Sequence, residues 1–149
     1  MFEGDYKMKK KILVINGPNL NLLGKREIEI YGKMSLNDIK GKLEEYAKEK
    51  NVEIEFFHSN FEGEIIEKIQ HADGRFHGII INPGGLSYSS FSILDAIRTI
   101  NIPCVEVHIS NIFAREDFRK NSITATGCKG LITGLGWKSY LLALIYLIS

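Results

Sequence analysis

The chain is poor in the features that mark specialised protein classes. It has two cysteines, Cys104 and Cys128. That is too few for the disulfide framework of a small secreted domain, so reduced thiols in a cytosol are expected. There is no charge excess. Nineteen Lys+Arg against 18 Asp+Glu leave a formal net charge of +1, which argues against both a nucleic-acid partner and an acidic, disordered chain. Long apolar runs are missing too. The longest, Tyr140–Ile148, falls well short of the roughly 20 residues that span a bilayer and reads instead as a buried helix, so no membrane partner is expected. The polar stretch Met1–Lys11 has no apolar core of signal-peptide length. The expected arrangement is a loose leader over residues 1–10 and a single domain over 11–149, located in the cytoplasm.

The usual cofactor motifs are also missing. Four histidines and two cysteines never assemble into C-x-x-C or H-E-x-x-H, so neither a zinc site nor any other metal is expected. Gly134-Leu135-Gly136 sits at a strand-to-helix junction, but only one helix follows. That leaves no βαβ unit for a dinucleotide and no Walker lysine, and close helix packing suffices to explain the glycines. Nothing after the first strand resembles the Thr/Ser-rich loop that holds FMN. Strand ends one and three carry Asn16 and Asn82 where a phosphoacceptor domain needs aspartates. No dinucleotide, P-loop nucleotide or FMN site is expected.

What the chain does have is the composition of an ordinary globule, 44% apolar and 25% charged, with enough material for a sizeable core. Short β-branched runs alternate with helical spacing, the pattern of βαβ units around a parallel sheet. Five strands are predicted: Ile12–Asn16, Val52–His58, Ile79–Ile81, Val105–Ile109 and Gly130–Thr133. Ser35 with Asp38 announces a first helix, and Ser59 with Glu62 repeats the capping signal before a second. The serines at 87, 89 and 90 open a third through about Ile100. A short helix is expected around Ala114–Lys120, and Trp137–Ile148 closes the chain. The connection from Gly17 to about Met34 is much longer than the usual 4–6 residues or so, which suggests a lid or binding loop.

Ligands of open α/β sheets bind beyond the carboxyl ends of the strands, and polar residues crowd those ends here. Glu106 and His108 are two apart on a strand and share a face, so the carboxylate can orient an imidazole that exchanges protons near neutral pH. The same pair could simply satisfy a polar pocket. Arg26 and Tyr31 lie in the long loop. A guanidinium would favour the phenolate a basic tyrosine needs, although the tyrosine could equally just pack the loop. Asn16, Asn19 and Asn21 offer non-titrating donors to an oxyanion, or ordinary turn chemistry. Asn82, Ser87 and Ser110 could hold an anionic or polyhydroxylated ligand, or cap helices. Arg115, Arg119 and Lys120, offset by Glu116 and Asp117, suit a local anion contact or a solvated face.

The string Ile15-Asn16-Gly17-Pro18-Asn19-Leu20-Asn21-Leu22-Leu23-Gly24, with Arg26-Glu27 and Tyr31-Gly32, resembles the opening signature of the type II 3-dehydroquinate dehydratases. Glu106-Val107-His108-Ile109-Ser110-Asn111, with Ala114-Arg115-Glu116 and Phe118-Arg119, resembles that family's second signature, and Ile132–Gly136 leads to a similar C-terminal helix. The likeness covers about Lys11–Ile148.

This resemblance implies a flavodoxin-like α/β three-layer sandwich with a five-stranded parallel sheet. It implies dehydration of 3-dehydroquinate to 3-dehydroshikimate in the shikimate pathway, without metal or organic cofactor. It also assigns roles. Tyr31 removes the C2 proton as a phenolate kept charged by Arg26, and Asn19 stabilises the enolate through a bound water. His108, oriented by Glu106, protonates the departing C1 hydroxyl. Asn82, Tyr88, Ile109, Ser110 and Arg119 bind substrate, with Asp95 reaching a neighbouring subunit's site in a dodecamer built from trimers. Lacking the lysine motif of the Schiff-base enzymes, the chain would stabilise its carbanion by hydrogen bonds.

Two positions depart from the family. Ile28 stands where proline is common, which leaves the lid less restricted. Tyr88 stands where histidine is usual; it can donate a hydrogen bond but cannot become cationic near neutral pH. The competing readings are another cofactor-independent lyase of a cyclic hydroxy acid, or a non-catalytic flavodoxin-like binding module.

Overall fold

The structure is a computed structural model and describes residues 8–149. Most of the expected leader, residues 1–7, lies outside the described part. Five parallel strands, β1 (Lys11–Asn16), β2 (Glu53–His58), β3 (Gly78–Asn82), β4 (Cys104–His108) and β5 (Gly130–Thr133), are ordered β2-β1-β3-β4-β5. This is the flavodoxin-like order, whose strand direction of growth reverses between β1 and β3. Five helices accompany them: α1 (Ile28–Tyr31), α2 (Leu36–Glu49), α3 (Glu62–Ala72), α4 (Phe91–Thr99) and α5 (Lys138–Ile148).

The sheet is covered on both faces, which is why β1 and β3 are unbroken apolar runs rather than alternating ones. On one face Ile12, Val14, Ile80, Val105 and Val107 pack against Ile39 and Leu43 of α2 and Ala143, Leu144 and Leu147 of α5. On the other, Leu13, Ile15, Ile79, Ile81 and Cys104 pack against Ile65 and Ile69 of α3 and Ile93 and Ile97 of α4. No helix of the described residues is long and apolar enough to cross a membrane.

Two local expectations need correction. Ser35 and Asp38 do form a reciprocal capping box on α2, but Ser59 does not cap α3. The N-cap there is Phe61; the Ser59 hydroxyl accepts from the Phe61 N–H at 2.9 Å and donates to Glu64 at 2.7 Å, stitching the turn before the helix. The helix expected around Ala114–Lys120 is two separate 3-10 turns, Ile112–Ala114 and Asp117–Lys120, because Arg115 and Glu116 are extended. The long connection after β1 is also structured. Its 3-10 turn Leu20–Leu22 and the residue after it bury Leu20 and Leu23, and exposed α1 follows.

At the reversal point β1 and β3 come into close contact. Asn16 and Asn82 are register partners, and the Gly17 N–H donates to the Asn82 carbonyl at 2.8 Å. A Cβ at Gly17 would lie 2.5 Å from the Pro83 carbonyl oxygen, so no other residue fits. Beneath this junction Tyr140 of α5, fully buried, donates to Asn16 Oδ1 at 2.7 Å and accepts from Asn82 Nδ2 at 2.8 Å. Burial pushes the phenol well above its ordinary pKa, against the lowering effect of the Asn82 bond, so it stays a neutral hydroxyl. Asn16 therefore serves the core and not an oxyanion.

Removing that hydroxyl strands two buried amide atoms. Tyr140→Phe is expected to cost about 1–3 kcal/mol in urea unfolding with an unchanged m value. A loss of only a few tenths would show that the amides are satisfied elsewhere.

Candidate active site

The carboxyl ends of β1, β3 and β4 open onto one cavity of about 130 Å³, lined among others by Asn19, Arg26, Tyr31, Asn82, Tyr88, His108, Ile109, Ser110, Arg115 and Arg119. Its floor is β4. Glu106, with no solvent exposure, and His108, also buried, share a face of that strand, and His108 Nε2 lies 2.7 Å from Glu106 Oε2. With Nε2 engaged, Nδ1 is the ring nitrogen left for a ligand. A carboxylate stripped of water needs other donors. Besides His108, Glu106 receives the hydroxyls of Ser122 on one oxygen and Thr124 on the other. Both hydroxyls come from the segment after Asp117–Lys120, far from β4 in sequence.

The roof comes from the long connection. Tyr31 ends α1 and is half-buried. Arg26 was the guanidinium expected at its hydroxyl, but Arg26 instead lies over the ring, its Cζ 4.8 Å from the ring centroid. The hydroxyl is bonded by Arg115, whose Nη1 donates at 2.7 Å and also reaches Ser110 Oγ at 3.3 Å. The extended backbone at Arg115 that interrupts the expected helix is what allows this reach. A phenol oxygen bonded by a guanidinium gains more from that bond once it is negative. Arg26 Nε is buried without a hydrogen-bond partner among the described residues.

The remaining expected residues divide. The Asn82 side chain is committed to Tyr140 and, through Oδ1, to the Gly84 N–H at 3.2 Å, yet still borders the cavity. Asn19 is left-handed, φ 70°, and its N–H donates to the Asn60 side chain. Tyr88 packs edge-on against Phe118, ring centroids 5.1 Å apart, with Arg119 over its face. Thr133 fixes the loop after β4 by donating to the Ser110 carbonyl and accepting from the Ile112 N–H. Gly134 is needed there as well, because a Cβ would fall 2.9 Å from Asn111 Cβ; its constraint is this loop and not helix packing. Asp95 is exposed on α4 and does not border this cavity. Asn21 faces a different groove.

The sequence places Arg115 in a basic cluster and in the second signature without assigning it a role, and it does not single out Ser122 or Thr124. No spacing rule links residue 31 to 115 or 106 to 124, and only the meeting of loops brings them together. Among the described residues no group of three His, Cys, Asp or Glu is placed to hold a metal ion. The cavity is well below the roughly 300–1,000 Å³ of drug-sized sites, which disfavours a flavin nucleotide.

Fold and cavity together define a flavodoxin-like protein with a small site in which a phenol and an imidazole line one cavity. The sequence profile of the family described as Dehydroquinase class II matches residues 10–148, and the chain belongs to that family. The chain is 55% identical over 142 residues to the 3-dehydroquinate dehydratase of Fusobacterium nucleatum, covering 93% of this chain and 97% of that one. It is 50% identical over 138 residues to the 3-dehydroquinate dehydratase of Clostridium botulinum, covering 93% and 94%. The crystal structure of type II dehydroquinase from Butyrivibrio crossotus superimposes with a TM-score of 0.93 at 48% identity, covering 95% of this chain and 99% of that one.

At the rim, Arg119 is bonded to Glu116, which holds that carboxyl below its ordinary pKa. A depressed folded-state pKa means the pair's contribution is present above the unfolded value and lost as pH falls through the folded one. The Glu116 carboxyl should therefore titrate by NMR below a normal glutamate, and Arg119→Ala should move it back up. An ordinary midpoint in the parent protein would refute the pairing.

Proposed function

We propose that this chain dehydrates 3-dehydroquinate to 3-dehydroshikimate, with Tyr31 as base and His108 as acid. The observation that carries the reading is the single small cavity that both side chains line, with Arg115 bonded to the Tyr31 oxygen. Family membership and the names of the relatives supply the substrate.

The Tyr31 phenolate, held by Arg115 and with Arg26 across its ring, takes the proton at C2 beside the ketone. The electrons move onto the carbonyl oxygen, and Asn19 meets that enolate through a water. Hydrogen-bond donors fixed before the reaction are the physical requirement, because a proton next to a ketone is only weakly acidic and the site must lower the energy of the anion it leaves. As the enolate collapses, the C1–O bond breaks and His108, aligned by Glu106, gives its proton to the departing hydroxyl. Water leaves and the conjugated enone remains. Return of a proton from Tyr31 to His108 resets the site. Asn82, Ile109, Ser110, Tyr88 and Arg119 hold the ring and its carboxylate. The turn at Leu20 and Leu23 roots the lid while exposed α1 swings with Tyr31.

The subunits are proposed to assemble as a dodecamer, a tetramer of trimers, in which exposed Phe61, Phe91, Phe113 and Phe118 would find cover and Asp95 would approach a neighbour's site. The pathway is the shikimate pathway and the location the cytoplasm.

Supplied with 3-dehydroquinate, the protein should generate enone absorbance in the ultraviolet at a rate unaffected by chelator. Folded protein with no turnover would defeat the assignment. The order of steps has its own test in deuterated water. Tyr31→Phe should lose both dehydration and C2 exchange, whereas His108→Ala should lose dehydration and keep exchange. If His108→Ala lost exchange equally, base-first chemistry would be wrong. Light scattering should report a large oligomer, and a monomer would refute the assembly.

A further inference from the structure

The two cysteines, unused by the mechanism, lie against each other. Cys104 opens β4 and is buried, while Cys128 follows the 3-10 turn Thr124–Gly127 and is half-buried. The Lys129 N–H donates to the Cys104 carbonyl at 2.7 Å, and the next residues, Val105 and Gly130, are register partners in the sheet. Sheet spacing with a one-residue offset puts the Cys104 and Cys128 Cα atoms about 6 Å apart, inside the span a disulfide bridges. Both thiols are free and pack into the same core. They border a groove of about 540 Å³ with Ile97, Arg98, Lys129 and Tyr146, which gives a small reagent access to Cys128.

The pair is also wired to the catalytic face. Cys104, Glu106 and His108 alternate along one face of β4, and residues 122–128 run across that face as a strap. Ser122 and Thr124 hold the Glu106 carboxylate at one end. Cys128 meets Cys104 at the other, its thiol donating to the Thr124 carbonyl at 3.5 Å. Closing a bond between the sulfurs removes that donor and draws the strap toward the start of β4.

We propose that Cys104 and Cys128 form a reversible disulfide whose closure disturbs the Ser122–Thr124 hold on Glu106 and so lowers turnover. The oxidant is a small-molecule disulfide of the glutathione kind. Cys128 thiolate attacks one sulfur of the reagent, breaking its S–S bond and releasing one thiol, to leave a mixed disulfide on Cys128. Cys104, deprotonated, attacks the Cys128 sulfur and releases the second thiol. The protein loses two hydrogens and two electrons, and the reagent becomes two thiols. The neighbouring Cys128 side chain and burial both push the Cys104 thiol up, so the more accessible Cys128 is the thiol that begins.

Full-length protein incubated with oxidised glutathione should lose the mass of two hydrogens, with kcat falling severalfold, KM little changed, and dithiothreitol reversing both. The His108 ring resonances should shift on closure and return on reduction, a readout independent of substrate, so failure of the dehydratase reading and failure of this one remain separable. Cys104→Ser and Cys128→Ser should each abolish the mass loss, the His108 shift and the fall in kcat. A glutathione adduct that never closes, a closed disulfide that leaves the His108 resonances in place, or an equal fall in kcat in Cys128→Ser would each overturn the proposal.

Discussion

A carboxylate with no water around it dictates how the site is built. Glu106 is fully buried at the middle of β4, and an unpartnered charge there would cost several kcal/mol. Three donors replace the lost hydration, and each brings a distant segment with it: His108 from the strand's own exit, Ser122 and Thr124 from the strap crossing the strand. The need to satisfy one oxygen pair thus fixes the ring that faces the cavity and the path of the chain between Lys120 and β5.

The second constraint lies across the cavity. Tyr31 sits on a short exposed helix rooted by two leucines, and a bond from Arg115 ties it to the loop after β4. Arg115 and His108 both follow from β4, so the phenol of Tyr31 and the imidazole of His108 are positioned from one strand end although the chain separates them widely. The Tyr140 hydroxyl below joins the ends of β1 and β3 through Asn16 and Asn82, which ties those two strand ends together beside the cavity.

Much of the architecture was legible because it depends on local chemistry. Strands buried on both faces must be continuously apolar, and the runs Ile12–Asn16 and Ile79–Ile81 could be placed to within a residue at either end. The Ser35–Asp38 box is a contact between residues three apart, so its signal survives in sequence. The Ser59 signal had the same form and failed because its hydroxyl oxygen accepts from the N–H of Phe61, the residue that stands at the N-cap of α3. The expected helix near residue 115 failed because the contacts that extend Arg115 come from residues far away.

The sequence by itself determined the βα rhythm, the polar strand ends and, through two signatures, the family, since each depends on residues within a few positions of one another. Only the tertiary structure decided that Arg115 rather than Arg26 bonds Tyr31, that Asn16 serves Tyr140, that Thr124 holds Glu106, and that Cys104 meets Cys128. Those contacts join residues whose separation along the chain says nothing about their separation in space, and burial, which makes them matter energetically, exists only once the layers have closed.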